Sequence, residues 1–566
     1  MHPVYRVFKP VAQWLQVFAG RLPGEYTVAK LDAFDCFRLQ TSPWQVTGIL
    51  LLTPMGCLVA NVLIESIPLS DPATGFYGSL HFQARNFLVA TTVMTTLITT
   101  KVSCVSHLTP RSWRFICGMS LTLAGVAIAT NAVISIAVGI FPVPFTQFAP
   151  TGPMAVIGGL INQRFLETPE NRVRLQRLDR WLAMDLAPIL IYPIFTAVFM
   201  AVQSTQQLWL SLLLPVLKFL LRYLLWLVVR GEIDLVGAAT CSVGHLYHIL
   251  FTVMCLQNAK SWKTYAVVIA VNTIQMLLNC RGILQDSDEI RRTAEQLTES
   301  PGDDHEDAVT SALTIAQQEN VAKLLHRKRF SRFFSLFPGY QHADYVSKHQ
   351  KLLRRSSSVN LRHSSVPNVM TNSKVDGAVA PISKMSTPIL PTKRLSWKIS
   401  SDSFTTEILV ASFAKRGEDT RQVCAREQEA YVRQVTSALH QTEIVLLRSY
   451  ITIFALPFYG LYQALLFSLP NRRYFVTMAT TTTFDAVAGM IFHMLVLCGL
   501  ELLFLVVYVT LISHRLGFSG LHQLAFVLWS QRILIQGKFI MLPIMILGFP
   551  LEHFGNGSIF KIKGAT

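Results

Sequence analysis

The sequence predicts an all-α fold, a polytopic transmembrane helix bundle of about 10–11 spans with a long, largely disordered soluble loop. Of the 566 residues, 51% are hydrophobic and 15% are charged, against about 25% charged residues in ordinary soluble domains. Uncharged runs of bilayer length recur on both sides of one polar stretch, which excludes a single soluble core. The lysines and arginines behind the net charge of +17 lie beside these runs, so we predict a lipid bilayer as partner and no nucleic acid.

Residues 1–43 precede the first long apolar run and are predicted to form interfacial helices. Residues 4–19 place apolar side chains at helical spacing on one face, although a proline interrupts them. Thr27 is then expected to cap a second short helix that carries Leu31, Phe34 and Phe37. These helices would lie at the membrane surface before the chain enters the bilayer.

Residues 44–284 form the first predicted membrane block, with about seven or eight spans. The stretch 143–161 is apolar but contains several prolines, which predicts a broken span or a re-entrant segment. If it crosses, the basic N-terminus, the arginines of 164–180 and the large loop share one side, which the positive-inside rule makes cytoplasmic. The other spans are expected at 44–64, 84–106, 115–140, 185–203, 208–229, 235–256 and 264–284.

Residues 285–445 are predicted to be a basic, Ser-rich cytosolic loop, disordered in its middle part. Helix formers return from Glu418 and should lead directly into the second membrane block, 446–551. That block has two or three spans, because charged residues interrupt its last apolar run, 521–551, and the side of the tail 552–566 stays open.

Four short strings in the first part of the chain carry a family resemblance. They are FAGRLPGEYTV at 18–28, LLLTP at 50–54, IPL at 67–69 and FPVPF at 141–145. On these strings the chain resembles a family of uncharacterised multi-pass transmembrane proteins of oomycetes. The resemblance implies a membrane topology and carries over no catalytic residue.

Ionisable residues inside predicted spans are the strongest functional signal, since each costs about 2.5–3.5 kcal/mol at a helix centre. Lys218 and Arg222 lie four residues apart on one helix face, and Glu501 lies near the centre of a later span, two turns after His493. We hypothesise that Glu501 pairs with Lys218 or Arg222 across the bundle. Such a pair would either fix helix register or form a substrate or coupling site.

Two other polar patterns lie in spans. Thr91, Thr92, Thr95, Thr96, Thr99 and Thr100 form a polar face that would either line a hydrated pathway or allow close helix packing. His245 and His248, with Asp234 nearby, could share a metal ion or a proton, but two histidines alone are more often packing residues. We therefore predict neither a metal site nor a cofactor.

The soluble loop carries a basic-aromatic segment at 324–337. In it, basic residues are interspersed with phenylalanines, which favours binding to anionic lipid. The alternatives are a helix that binds in a calmodulin-like groove and a simple solvated helix. The interleaved residues are Arg327, Lys328, Arg329, Phe330, Arg332, Phe333 and Phe334.

Three serines of the loop, Ser357, Ser365 and Ser396, follow arginines at the spacing that basophilic kinases require. Ser365 also has the surroundings of a phosphoserine motif for adaptors of the 14-3-3 kind. Phosphorylation would add negative charge and loosen a basic segment from lipid.

The motifs of nucleotide-binding and hydrolytic enzymes are missing from the sequence, so we predict no enzymatic activity. Two functions remain. One is a transporter or channel regulated through its cytosolic loop, and the other is a membrane scaffold or signalling anchor with a phosphorylated, adaptor-binding loop.

Overall fold

The computed structural model describes residues 20–104, 112–144, 146–163, 169–230, 233–257, 262–297, 307–327, 403–479, 481 and 483–555. The chain divides into two compact units, one of residues 1–336 with 425–566 and the other of residues 337–424. In the second unit, the described part begins at residue 403 and is helical. No β-strand occurs in the described ranges, where the fold is all-α as predicted.

The first half of the chain, up to residue 327, supplies twelve labelled helices among its described residues. They are α1 (Val28–Gln40), α2 (Pro43–Leu52), α3 (Met55–Glu65), α4 (Leu80–Cys104), α5 (Trp113–Val138), α6 (Thr151–Ile161), α7 (Pro169–Ala201), α8 (Ser204–Val229), α9 (Ile233–Gln257), α10 (Trp262–Leu297), α11 (Ala308–Ala316) and α12 (Glu319–Arg327).

The second half supplies four further helices. They are α13 (Ser403–Ser468), α14 (Phe484–Leu516), α15 (Gly520–Ser530) and α16 (Arg532–Gly548). Shorter helical turns lie at Pro72–Thr74, Gly75–Gly78, Pro470–Tyr474, Val476–Ala479 and Glu552–Phe554.

Seven helical segments in the described ranges are long and apolar enough to cross a membrane, with α2 and α3 together counted as one, and the number rises to eight if α15 and α16, bent by 78°, form one broken span. These helices expose large apolar side chains, among them Trp209 on α8 and Leu503 on α14, as expected where lipid is the solvent. The protein is therefore a multi-pass membrane protein.

The other predicted spans correspond to less regular elements. The Thr-rich α4 and the long α7, whose first half is charged, coincide with predicted spans but are not among the seven. Among the described residues of the stretch 143–161, the 11-residue α6 is the helical part. It is about 16 Å long, shorter than a regular membrane-spanning helix, and it packs against α5. The broken span or re-entrant segment expected here stays a prediction.

Helix α9 lies at the centre of the bundle, because its apolar stretch is completely buried inside the protein. It contacts α7, α8 and α16, and α13 closes another side, where Cys241 Sγ lies 3.6 Å from the carbonyl oxygen of Ile444. Helix α9 also contains one turn of π-helix, Thr240–His245, a feature that often marks functional sites.

The segment that leads into α1 is held against the bundle by polar contacts. The Thr27 hydroxyl caps α1 by accepting from the amide of Lys30, as the sequence predicts, and donates to Asp234 at 2.8 Å. The Tyr26 amide donates to the carbonyl oxygen of Thr436 at 3.1 Å, and Lys30 Nζ lies 2.7 Å from Glu443 Oε2. These contacts join the beginning of the described chain to α9 and α13.

Helix α13 is continuous over Ser403–Ser468, so the helix predicted from Glu418 does run directly into the next span. Two ion pairs hold the end of α10 and the start of α11 beside the N-terminal segment. They join Arg21 to Asp286 and Arg38 to Asp307. The N-terminal segment and both ends of the polar stretch therefore meet at one end of the bundle.

Candidate functional site

A polar cavity lies inside the membrane block between α8, α9, α10, α13 and α14. We call it the charged cavity; its walls are Ser211, Leu214, Pro215, Lys218, His245, His248, Ile249, Thr252, Val268, Val271, Asn272, Gln275, Met276, Arg448, Thr452, Glu501, Phe504 and Tyr508.

Two cationic side chains and one carboxylate face this cavity from three helices. Lys218 on α8 is 5% exposed and Arg448 on α13 is 6% exposed. Glu501 enters from α14, and its Oε1 accepts a hydrogen bond from Ser449 Oγ at 3.1 Å. Lysine and arginine side chains therefore outnumber carboxylates on the cavity wall, two to one.

The hypothesised direct pair of Glu501 with Lys218 or Arg222 is not formed, because none of the ion pairs between described residues includes Glu501. Lys218 and Glu501 do share the charged cavity. Arg222 is turned away from it, and its Nη2 donates to the carbonyl oxygen of Gly20 at 3.1 Å. The sequence thus identified two of the three charged groups, but not how they are paired.

The histidines of α9 line the same cavity. His245 Nε2 lies 2.8 Å from Thr452 Oγ1, and His248 Nε2 lies 3.5 Å from Thr252 Oγ1. Their ring centroids are 6.2 Å apart. The π-helical turn ends at His245, so the irregular part of α9 leads directly to the cavity wall.

Asp234 is not part of this site. Its carboxylate accepts hydrogen bonds from the amide and the hydroxyl of Thr27, which gives it a structural role. Within the described ranges, no group of three or more His, Cys, Asp or Glu residues could hold a metal ion.

Two smaller cavities continue the charged cavity along α9. The linking cavity shares Thr252, Asn272 and Glu501 with it and extends to Leu256 and Leu497. The His493 cavity shares Leu256 and Leu497 with the linking cavity and is also lined by Gln257, Tyr265 and His493. The three cavities follow α9 in order from His245 to its end at Gln257.

His493 therefore lies at the far end of this series and not beside Glu501. Its Nδ1 lies 2.6 Å from the carbonyl oxygen of Gly489, and its ring contacts that of Tyr265 with centroids 5.0 Å apart. The four residues singled out as one intramembrane site thus occupy three places: the charged cavity, the His493 cavity and, for Arg222, the contact with the N-terminal segment.

The threonine face of α4 lies away from all three cavities. The Thr92, Thr96 and Thr100 hydroxyls donate to carbonyl oxygens of their own helix at 2.8–3.0 Å. Gly537 of α16 packs closely against them, so that a Cβ added there would lie 3.4 Å from Thr100 Oγ1. These contacts favour close helix packing over a hydrated wall.

Arg448, Asn272 and Gln275 line the charged cavity but were not singled out in the sequence. Arg448 lies two residues after the expected start of its span. An arginine at such a position usually extends its side chain to the membrane surface. Asn272 and Gln275 are three residues apart within an apolar run and therefore on one helix face. That spacing of two polar residues could have identified them as part of a polar site.

The candidate phosphosites Ser357, Ser365 and Ser396 and the basic-aromatic side chains from Arg327 to Phe334 lie outside the residues whose side chains the structure describes. The lipid and adaptor partners that they suggest stay predictions. A comparison with protein-family models, curated proteins and solved structures found no match.

Proposed function

We propose that the protein is a membrane transporter whose solute site is the charged cavity. One observation carries the proposal: Lys218, Arg448 and Glu501 face one cavity inside a helix bundle, although ionisable groups are costly within a membrane. Intramembrane ionisable groups that line a cavity typically bind solutes or ions. The linking cavity and the His493 cavity lie in series along α9, which supports a solute path in that direction.

The proposal places the N-terminus and the loop 285–445 on the cytoplasmic side. The excess of arginine and lysine near these segments supports this orientation. The contacts of the N-terminal segment with Asp286, Asp307 and Thr436 support a common side for both.

Alternating access gives a test that does not depend on the solute. In a transporter, the side chain at position 272, in the wall shared by the charged and linking cavities, should meet water from each side of the membrane in turn. We expect N272C, in vesicles of known protein orientation, to react with a charged, membrane-impermeant thiol reagent added on either side. Labelling is measured by mass spectrometry of the modified peptide.

The matched control is L503C on the same helix bundle, since Leu503 is 58% exposed on the lipid-facing side of α14. The thiol of L503C should react from neither side. Labelling of the parent protein gives the background reaction of the nine native cysteines. Labelling of N272C from one side only, or from neither, would contradict transport and favour the scaffold function.

A further inference from the structure

Lys218 is the least compensated charge in the charged cavity. It is 5% exposed, and its ammonium group has no hydrogen-bond or ion-pair partner among the described residues. Glu501, which could have neutralised it, accepts from Ser449, and Asn272 and Gln275, the polar residues that α10 contributes, are uncharged. A buried ammonium without a counter-ion is unfavourable in low dielectric.

The cavity also has an apolar part to its wall, which we call the apolar wall. Leu214, Ile249, Val268, Val271 and Phe504 contribute to it from four different helices. These side chains give the cavity an apolar contact surface, which suits a solute with a hydrocarbon body.

We infer that the charged cavity binds an organic anion, with its acidic group against Lys218 and Arg448 and its hydrocarbon body against the apolar wall. A carboxylate or a phosphate monoester supplies the missing counter-charge through charge-assisted hydrogen bonds. The inference rests on the proposed function, because it names the class of solute that the transporter carries.

Binding to the purified full-length protein in detergent tests the inference by isothermal titration calorimetry. The probes are benzoate and phenyl phosphate, with inorganic phosphate as an anion that lacks a body. Benzamide is the uncharged isostere of benzoate, and benzylammonium is its cationic counterpart. We expect the two aromatic anions to bind, and benzamide, benzylammonium and inorganic phosphate to bind at least roughly tenfold more weakly, a factor that corresponds to loss of one favourable contact.

The variant K218M should weaken benzoate binding roughly tenfold or more, and K218R, which keeps the charge, should weaken it less. Without any ligand, K218M should also have a higher melting temperature than the parent protein, because it removes an unpaired buried charge. R532Q removes an exposed arginine of the second membrane block and serves as the control, with unchanged binding.

A second variant keeps the test decisive if K218M does not fold. V271W fills the cavity from its apolar wall without removing a charge, and it should abolish benzoate binding. Equal binding of benzoate and benzamide, full binding by K218M and V271W, or binding by neither aromatic anion would overturn the inference. Labelling of N272C from both sides together with any of these results would leave transport standing and refute only the solute class.

Discussion

The contact between Lys30 and Glu443 shows how one pair of side chains joins distant parts of the chain. The two residues are 413 positions apart, and their side chains are 1% and 0% exposed. Burial and the Glu443 carboxylate raise the pKa of Tyr26 well above its ordinary value, so this neighbouring phenol stays protonated. The pair therefore fixes a neutral, closely packed junction between the N-terminal segment and α13.

Breaking this pair should be costly, because removal of one partner leaves the other charge buried and unpaired. We expect E443Q to lower the free energy of unfolding by about 3–5 kcal/mol, measured by thermal unfolding in detergent. The control is R291A, which breaks the exposed pair of Arg291 with Glu295, 76% and 62% exposed, and should change stability by at most about 0.5 kcal/mol. The double variant K30M/E443L should recover most of the loss; if it is as unstable as E443Q, burial of an unpaired charge is not the cause.

At this scale the sequence identified residues better than it identified partners. The spacing of Lys218 and Arg222 correctly placed both on one helix face. Lys218 nevertheless lines the cavity, whereas Arg222, one turn later, contacts Gly20. Glu501 was expected to find a lysine or an arginine and accepts from Ser449 instead. The spacing of residues in the sequence determines which face of its helix a side chain occupies. Its interaction partner depends on which other helix packs against that face.

Among the secondary-structure elements, α9 departs most from a regular helix, and its π-helical turn brings Gly244 against α8. A Cβ added at Gly244 would lie 2.8 Å from Arg222 Cγ, so the absence of a side chain allows Arg222 to pass and reach Gly20. The turn, the glycine and the arginine thus form one packing arrangement beside the charged cavity.

We expect G244A to destabilise the protein by about 1–3 kcal/mol through overpacking, measured as a lower melting temperature in detergent. The matched control is G499A on α14, where an added Cβ would meet no atom within 4 Å. Because alanine favours helix over glycine by about 0.8–1.0 kcal/mol, G499A should be neutral or stabilising. An equal change in both variants would show that helix propensity, and not the approach to Arg222, decides the effect.

Helix boundaries were predictable where the signal was local. The Thr27 cap and the approximate bounds of the long apolar helices follow from side-chain type and run length. The π-helical turn of α9 has no comparable signal in its own residues, and the 78° bend between α15 and α16 was marked only by the charged residues that interrupt the run 521–551. Run length and apolar character do not specify where a helix widens or bends.

In the whole molecule, the two membrane blocks form one bundle, since α16 of the second block packs against α3, α4 and α9 of the first. The charged cavity likewise takes walls from both blocks. Neither block contains a complete site, so the function proposed above needs both.

Two separate chains, residues 1–327 and 403–566, should therefore assemble when they are co-expressed. We expect a tag on either chain to co-purify the other in detergent, and each chain alone to be aggregated or degraded. E443K in the second chain should weaken the assembly because it puts a like charge beside Lys30, whereas E427K changes an exposed side chain and should not. Monodisperse folded protein from either chain alone would contradict this interdependence.

The complete enclosure of α9 has a consequence for biosynthesis. A ribosome completes this segment long before it has made α13 and α16, which cover two of its sides. At a translation rate of about 5–20 residues per second, tens of seconds pass between the synthesis of α9 and that of α16. During this time the histidines of α9 and the neighbouring Lys218 are exposed to lipid acyl chains. We therefore expect the cell to shelter this intermediate with an insertion chaperone until the later helices arrive.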